Sequence, residues 1–178
     1  NGWRVKASEQ VLEGTFCDTP IKGIADLVLE RNGKLAIVDL KWSGGTYRQN
    51  LLRNEEDLQL VLYSNLVTKG QGWATTAYFI IETGRMIART TEAFAEAMPV
   101  SPTVSTDEVQ TRIFERMKTT YLWRKNQLAD GFLELRTLRT KLALEDVYFQ
   151  QQTNMDGLLE MKDEPLYDEY AVLIGNLE

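Results

Sequence analysis

"GIADLVLERNGKLAIVDLKW", residues 23–42, is the stretch whose pairing decides the fold. Two apolar runs flank Asn32-Gly33. Asn-Gly in that setting signals a two-residue hairpin turn, because both central residues must take positive φ. With that pair as the loop, Arg31 faces Lys34, and each step back along one strand meets a step forward on the other. Asp26 then falls opposite Asp39, with Cβ atoms about 5 Å apart on one face of the sheet. Lys41 shares that face through the period-two alternation of a strand.

The same alternation puts Ile24, Val28, Leu35 and Ile37 beside these charges, and Ala25, Leu27, Leu29, Ala36, Val38 and Leu40 on the opposite face. Apolar residues on both faces predict a strand pair covered from both sides. Opposed like charges destabilise a strand pair, and burial sharpens the repulsion. Lys41 balances one of them. A divalent cation held by hard oxygen ligands balances the other, and such ligands are what Mg²⁺ prefers. The competing reading, a surface hairpin with solvated acids, predicts a polar face that this sequence lacks.

Asp26, followed by Asp39-Leu40-Lys41, resembles the motif of the PD-(D/E)XK nuclease superfamily, and "GIAD" with "VDLKW" is similar to its RecB-like branch. That branch continues with a helix bearing a Gln and a Tyr one turn apart. "DLQLVLYS", residues 57–64, places Gln59 and Tyr63 at i, i+4 on one helix face. The resemblance covers about residues 1 to 82. It implies an α/β fold with a restriction-endonuclease-like core, a mostly antiparallel mixed sheet flanked by helices, here with a helical C-terminal extension.

The resemblance further implies a metal-dependent DNA nuclease, an exonuclease, that hydrolyses phosphodiester bonds in recombination, repair or the processing of phage and mobile-element DNA. Asp26, Asp39 and the backbone carbonyl of Leu40 would hold Mg²⁺ or Mn²⁺. Lys41 would position the attacking water and stabilise developing charge, and Gln59 and Tyr63 would shape the site or touch the DNA backbone. Relatives in this branch carry a Glu some way before the motif Asp; Glu9 fits that place best and Glu13 next. The branch also often supplies a metal-binding His from a helix before the first strand. This sequence has no His and starts abruptly at Asn1. The expectation is a domain excised from a longer protein, whose partners are DNA and a helicase or other parts of the parent chain. Two alternatives stay open: a nuclease-like fold kept only for binding nucleic acid or protein, and a structural or assembly domain.

Composition bounds the rest. At 178 residues, 43% hydrophobic and 26% charged, the chain suffices for one globular domain or a domain with an appendage. No apolar run approaches the roughly 20 residues of a membrane span and no signal peptide opens the chain, so a membrane partner is not expected. The lone Cys17 excludes an internal disulfide framework, and without His a Cys/His zinc site is not available. The four-Cys iron–sulfur cluster of some RecB-like nucleases is excluded too, and a reducing, cytoplasmic setting is expected. A net charge of −6 speaks against nucleic-acid binding, since phosphate contacts come from Lys and Arg. The charge is uneven, however. Residues 111–141 hold eight basic and three acidic side chains, whereas 142–178 hold nine acids and only Lys162. The basic stretch is expected to face a phosphate backbone; two ordinary solvated faces of opposite sign are the equal alternative.

Residues 4–16 read as a strand that "CDTP" turns into a second, Ile21 to Glu30, with a third from Leu35 to Trp42. "SGGTYRQN", residues 43–50, reads as a loop, and 54–67 as a helix with Glu55, Glu56 and Asp57 in its first turn, where the helix dipole favours acids. "TTAYFII" predicts a buried fourth strand, and residues 82–85 turn it into a fifth, "MIART". This assigns 1–90 to the nuclease core and 91–178 to a helical extension and acidic tail of the same domain. In the extension, "MPVSPTVS" reads as an extended linker and Asp107 to Lys141 as one or two helices capped by Ser105 or Thr106. Ile113, Met117, Tyr121 and Leu128 form their apolar stripe, and Tyr121, Trp123, Arg124 and Lys125 mix aromatic and basic character as single-strand binders do.

Overall fold

The computed structural model describes residues 2–101, 103–132 and 141–160. The acidic tail beyond residue 160, and Arg136 and Arg139 of the basic stretch, lie outside them. Among the described residues six strands form one mixed sheet in sequence order: β1 Arg4–Phe16, β2 Thr19–Arg31, β3 Lys34–Lys41, β4 Thr75–Ile80, β5 Arg85–Ala88 and β6 Met98–Pro99. The pairs β3/β4 and β5/β6 are parallel and the others antiparallel. Helices α1 Gly45–Arg53 and α2 Leu58–Val67 connect β3 to β4, and α3 Thr106–Ala129 and α4 Lys141–Gln150 follow the sheet.

Both hairpins close as their sequences require. Cys17 and Asp18 take φ of 48° and 61°, and Asn32 and Gly33 take 51° and 78°. Two consecutive positive φ values match the right-handed twist of the flanking strands. The register set by Asn32-Gly33 runs as expected from Arg31 opposite Lys34 to Leu27 opposite Val38.

There the ladder ends, and the face assignment before it needs correcting. Val28, Leu35 and Ile37 do share one core, and Leu27, Leu29, Ala36, Val38 and Leu40 the other. Ala25, however, packs with Val28 on the first core, and Ile24 is exposed. Residues 25 and 28 cannot share a face in an unbroken strand. β1 shifts in step: Ala7 and Leu12 lie on the same core, although they are an odd number of residues apart. Pairing passes from Ser8 opposite Leu27 to Gln10 opposite Ala25, with Glu9 between them at φ 49°. An irregularity shared by the two strands at Glu9 and Asp26 therefore exchanges their buried faces.

The connection from β3 to β4 also departs from expectation. "SGGTYRQN" is mostly helix: Gly44 opens α1 at φ 85°, and Leu52 near its end is fully buried. The acids expected in the first turn of one long helix lie before α2 instead. Glu55 sits at φ 59°, which no helix interior tolerates, and Asp57 makes no cap hydrogen bond because its carboxylate pairs with Arg89. α2 packs on β1 and β2 through two glycines. A Cβ at Gly14 would lie 2.6 Å from Leu66 Cδ2, and one at Gly23 would lie 2.4 Å from Tyr63 Cε1. Bare backbone at both places lets the helix lie flat on the sheet.

The chain divides into compact units 1–115 and 116–178, a boundary that falls within α3. The first unit thus takes in β6, which pairs with β5, so "MPVSPTVS" is not wholly a linker. It also takes in the start of α3, where Val109, Gln110 and Ile113 are buried. Within the second unit, Leu128 of the expected stripe is exposed, Trp123 meets the ring of Tyr148 edge-on at 5.2 Å, and Arg124 lies 4.3 Å over Trp123. Trp123 and Arg124 of the aromatic and basic cluster thus pack within this unit, and Lys125 is exposed.

Candidate active site

β3 runs through the middle of the sheet, and its C-terminal end carries Asp39 and Lys41. Asp39 lies between β2 and β4, opposite Tyr78, and is 4% exposed. Lys41 Nζ stands 2.7 Å from Asp39 Oδ2, with the ammonium partly open to solvent. The two form a close ion pair, and among the described residues no other donor reaches the buried Oδ2. Asp26 has left the backbone ladder, yet its Oδ2 accepts the Leu40 N–H at 2.7 Å. Burial pushes the Asp39 carboxyl above the usual carboxylate range. Lys41 pulls it down, the nearby charge of Asp26 adds to the rise, and the Arg48 guanidinium opposes it. Two carboxylates and an ammonium thus converge at one strand end.

The remaining residues singled out in the sequence fall around this centre. Glu9 is exposed and level with Asp26 at the irregularity. Glu13 is exposed and ion-paired with Lys22 at 3.2 Å. Among the described residues no three His, Cys, Asp or Glu side chains gather as a metal cage. An ion here would have the two carboxylates of Asp26 and Asp39 and complete its shell with water or substrate oxygens. Mg²⁺ is commonly bound in that manner, and two neighbouring carboxylates, one of them buried, fit it. Tyr63 lies against Gly23, which explains the glycine three residues before Asp26: a side chain there would meet the ring. Gln59, one turn earlier on α2, is exposed.

Three features escaped the sequence. Arg48 comes from α1; its guanidinium lies 5.5 Å from the Tyr78 ring centroid and 4.8 Å from that of Tyr47, and among the described residues its buried Nε has no hydrogen-bond partner. Tyr78 comes from β4, and burial together with the charges of Asp57 and Asp39 holds its hydroxyl firmly protonated. Behind them Arg89 binds Asp57 and the carbonyl of Leu52, and so ties β5 to the junction of α1 and α2. Only the in-register place of Tyr78 beside Asp39 could have been found from the strand pattern, once β4 was known to be parallel to β3.

Comparison with curated proteins and with solved structures returns no match. The sequence profile of the PD-(D/E)XK nuclease superfamily matches residues 1–146, well past the stretch that carries the visible motif. That match takes in the mixed sheet, its flanking helices and the strand end where Asp26, Asp39 and Lys41 meet. The chain therefore belongs to the PD-(D/E)XK nuclease superfamily.

Proposed function

We propose that the chain is a metal-dependent deoxyribonuclease that hydrolyses phosphodiester bonds, acting as an exonuclease in DNA recombination, repair or mobile-element processing. The observation that carries the reading is the buried Asp39 carboxylate, with the charge of Asp26 acting on it and the Lys41 ammonium 2.7 Å away. Asp26 and Asp39 would hold Mg²⁺ or Mn²⁺, together with the Leu40 carbonyl. Such an ion, when bound, polarises the scissile phosphate and lowers the pKa of a water. Lys41 is a compact, partly exposed charge suited to stabilising negative charge that develops on the phosphate oxygens. The Asp26 bond to Leu40 N–H holds one carboxylate against β3. Arg48 adds positive charge on the α1 side.

The test is cleavage of linear and circular DNA with Mn²⁺ by wild type, Asp39→Ala and Lys41→Ala, each checked for fold by circular dichroism. Wild type should cut linear DNA, and both variants should lose activity. Near wild-type cleavage by Asp39→Ala would overturn the assignment, and equal cleavage of circles would replace exonuclease by endonuclease. A binding-only domain is the second reading, favoured by the lack of a third acidic ligand among the described residues. It expects DNA binding without cleavage by folded wild type.

A further inference from the structure

Among the described residues up to 115, the exposed aromatic side chains are Trp42, 72% exposed, and Tyr47, 59% exposed; every other ring there is buried or half-buried. Both belong to the short segment that leads from the end of β3 into α1, directly after Lys41. We propose that Trp42 and Tyr47 form a stacking platform for the bases of an unpaired strand, so that the substrate bound at this site is single-stranded DNA or a frayed end. The proposal rests on the reading of Asp39 and Lys41 as the hydrolytic pair, and adds to it the class of DNA.

The segment sets two rings between two cations, a pattern suited to a single strand. Lys41 and Arg48 offer cations for phosphates at either end, and Trp42 and Tyr47 offer π-faces for bases between them. Arg48 joins the two functions: its guanidinium covers the Tyr47 ring at 4.8 Å, its charge acts on Asp39, and among the described residues its buried Nε has no hydrogen-bond partner. The platform is held in place, because the Trp42 carbonyl accepts the Glu82 N–H at 2.9 Å. Space is open beside it: a Cβ added at Gly44 would meet nothing within 4 Å. A duplex keeps its bases stacked on one another and cannot lend their faces to Trp42 or Tyr47, so the platform discriminates in favour of unpaired nucleotides. The cations that bracket the rings stand beside the proposed hydrolytic pair of a PD-(D/E)XK chain, which is why the occupant is taken to be a nucleic-acid strand.

The test is fluorescence anisotropy of the full chain in chelator with three labelled probes: oligothymidine, an abasic oligomer of the same length, and a duplex. Wild type should bind oligothymidine more tightly than either other probe. Trp42→Ala and Tyr47→Ala should each weaken oligothymidine binding about tenfold. They should leave the abasic and duplex probes unchanged, and Trp42→Phe and Tyr47→Phe should recover most of the loss. Equal binding of oligothymidine by wild type and alanine variants overturns the platform, as does an equal loss on all three probes or a failure of wild type to bind oligothymidine. Ring-dependent binding without cleavage in Mn²⁺ would refute the nuclease reading and leave the platform standing. Cleavage that ignores both rings would do the reverse.

Discussion

The Oδ2 atom of Asp26 accepts the backbone N–H of Leu40 at 2.7 Å, although β2 and β3 stop pairing one residue earlier, at Leu27 opposite Val38. One side chain therefore replaces a lost main-chain hydrogen bond. Asp26→Asn keeps an acceptor for that N–H and removes a charge that repels Asp39, so in chelator it should melt about 1 kcal/mol above wild type. Asp26→Ala leaves the donor without its partner and should melt about 1–2 kcal/mol below the Asn variant. Equal melting of the two variants would show that the bond contributes nothing.

Asp39 supplies a pH signature. Its folded carboxyl titrates above the ordinary range, mainly through burial, so the folded state binds this proton more tightly than the unfolded chain. The stability of the metal-free protein should then fall as pH rises from the ordinary carboxylate value through the raised one. Asp57 is raised by burial as well, with Arg89 opposing, so wild type alone cannot separate the two. Asp39→Asn removes only the first contribution. In chelator the variant should be about 1 kcal/mol more stable than wild type near neutral pH, with the advantage vanishing in acid. Excess Mn²⁺ should reverse it by stabilising wild type alone. A pH-independent gap, or equal metal shifts, would show that Asp39 neither titrates as described nor holds the ion.

Gly23→Ala would put a methyl group 2.4 Å from the Tyr63 ring. The ring must shift, at an expected cost of about 1–3 kcal/mol. In the background of Tyr63→Ala the same change should cost little, so a double-mutant cycle by thermal melts should show clear coupling. Additive effects would place the strain elsewhere.

Arg89→Leu leaves the fully buried Asp57 without its cation. The expected loss is about 3–5 kcal/mol, because an unpaired buried charge is costly. DNA cleavage per folded molecule should be retained, since this pair lies behind the site. Full stability in urea melts would show that Asp57 is held neutral by other means.

Gln59→Ala addresses the helix motif. Gln59 is exposed on α2, one turn before Tyr63, so its removal should leave the melting temperature within about 0.5 kcal/mol of wild type. A fall in turnover with unchanged melting would assign it to the site. Unchanged turnover would make it an ordinary surface residue.

What could be read from the sequence followed from local rules. Asn32-Gly33 admits one turn class, and that turn set the register up to Leu27 opposite Val38. Asp39 and Lys41 are two residues apart on one strand, so their meeting needed no tertiary information. The irregularity at Glu9 and Asp26 was not legible, because alternation is counted on an unbroken strand and nothing in "ASEQV" or "GIADL" marks a break. α1 was hidden by Gly44-Gly45, which signal a turn until their place before a helix is known. Arg48, Tyr78 and Arg89 reach the centre from separate elements, and no spacing along the chain encodes that. The glycine before Asp26 was visible as a motif, but its reason, the Tyr63 ring, appears only once α2 lies on the sheet.

The exchange of buried faces at Asp26 also has an evolutionary consequence. Ala25 before it belongs to the layer beneath α2, Leu27 and Val28 just after it face different cores, and Asp26 itself is in neither. Drift in the packing on either side can proceed without dragging the carboxylate along. Equally, a residue that keeps an acceptor for the Leu40 N–H can replace the carboxylate without unsettling either core. Under the proposed reading, a single change that keeps an acceptor for the Leu40 N–H, Asp26→Asn, would give a stable chain without the proposed chemistry.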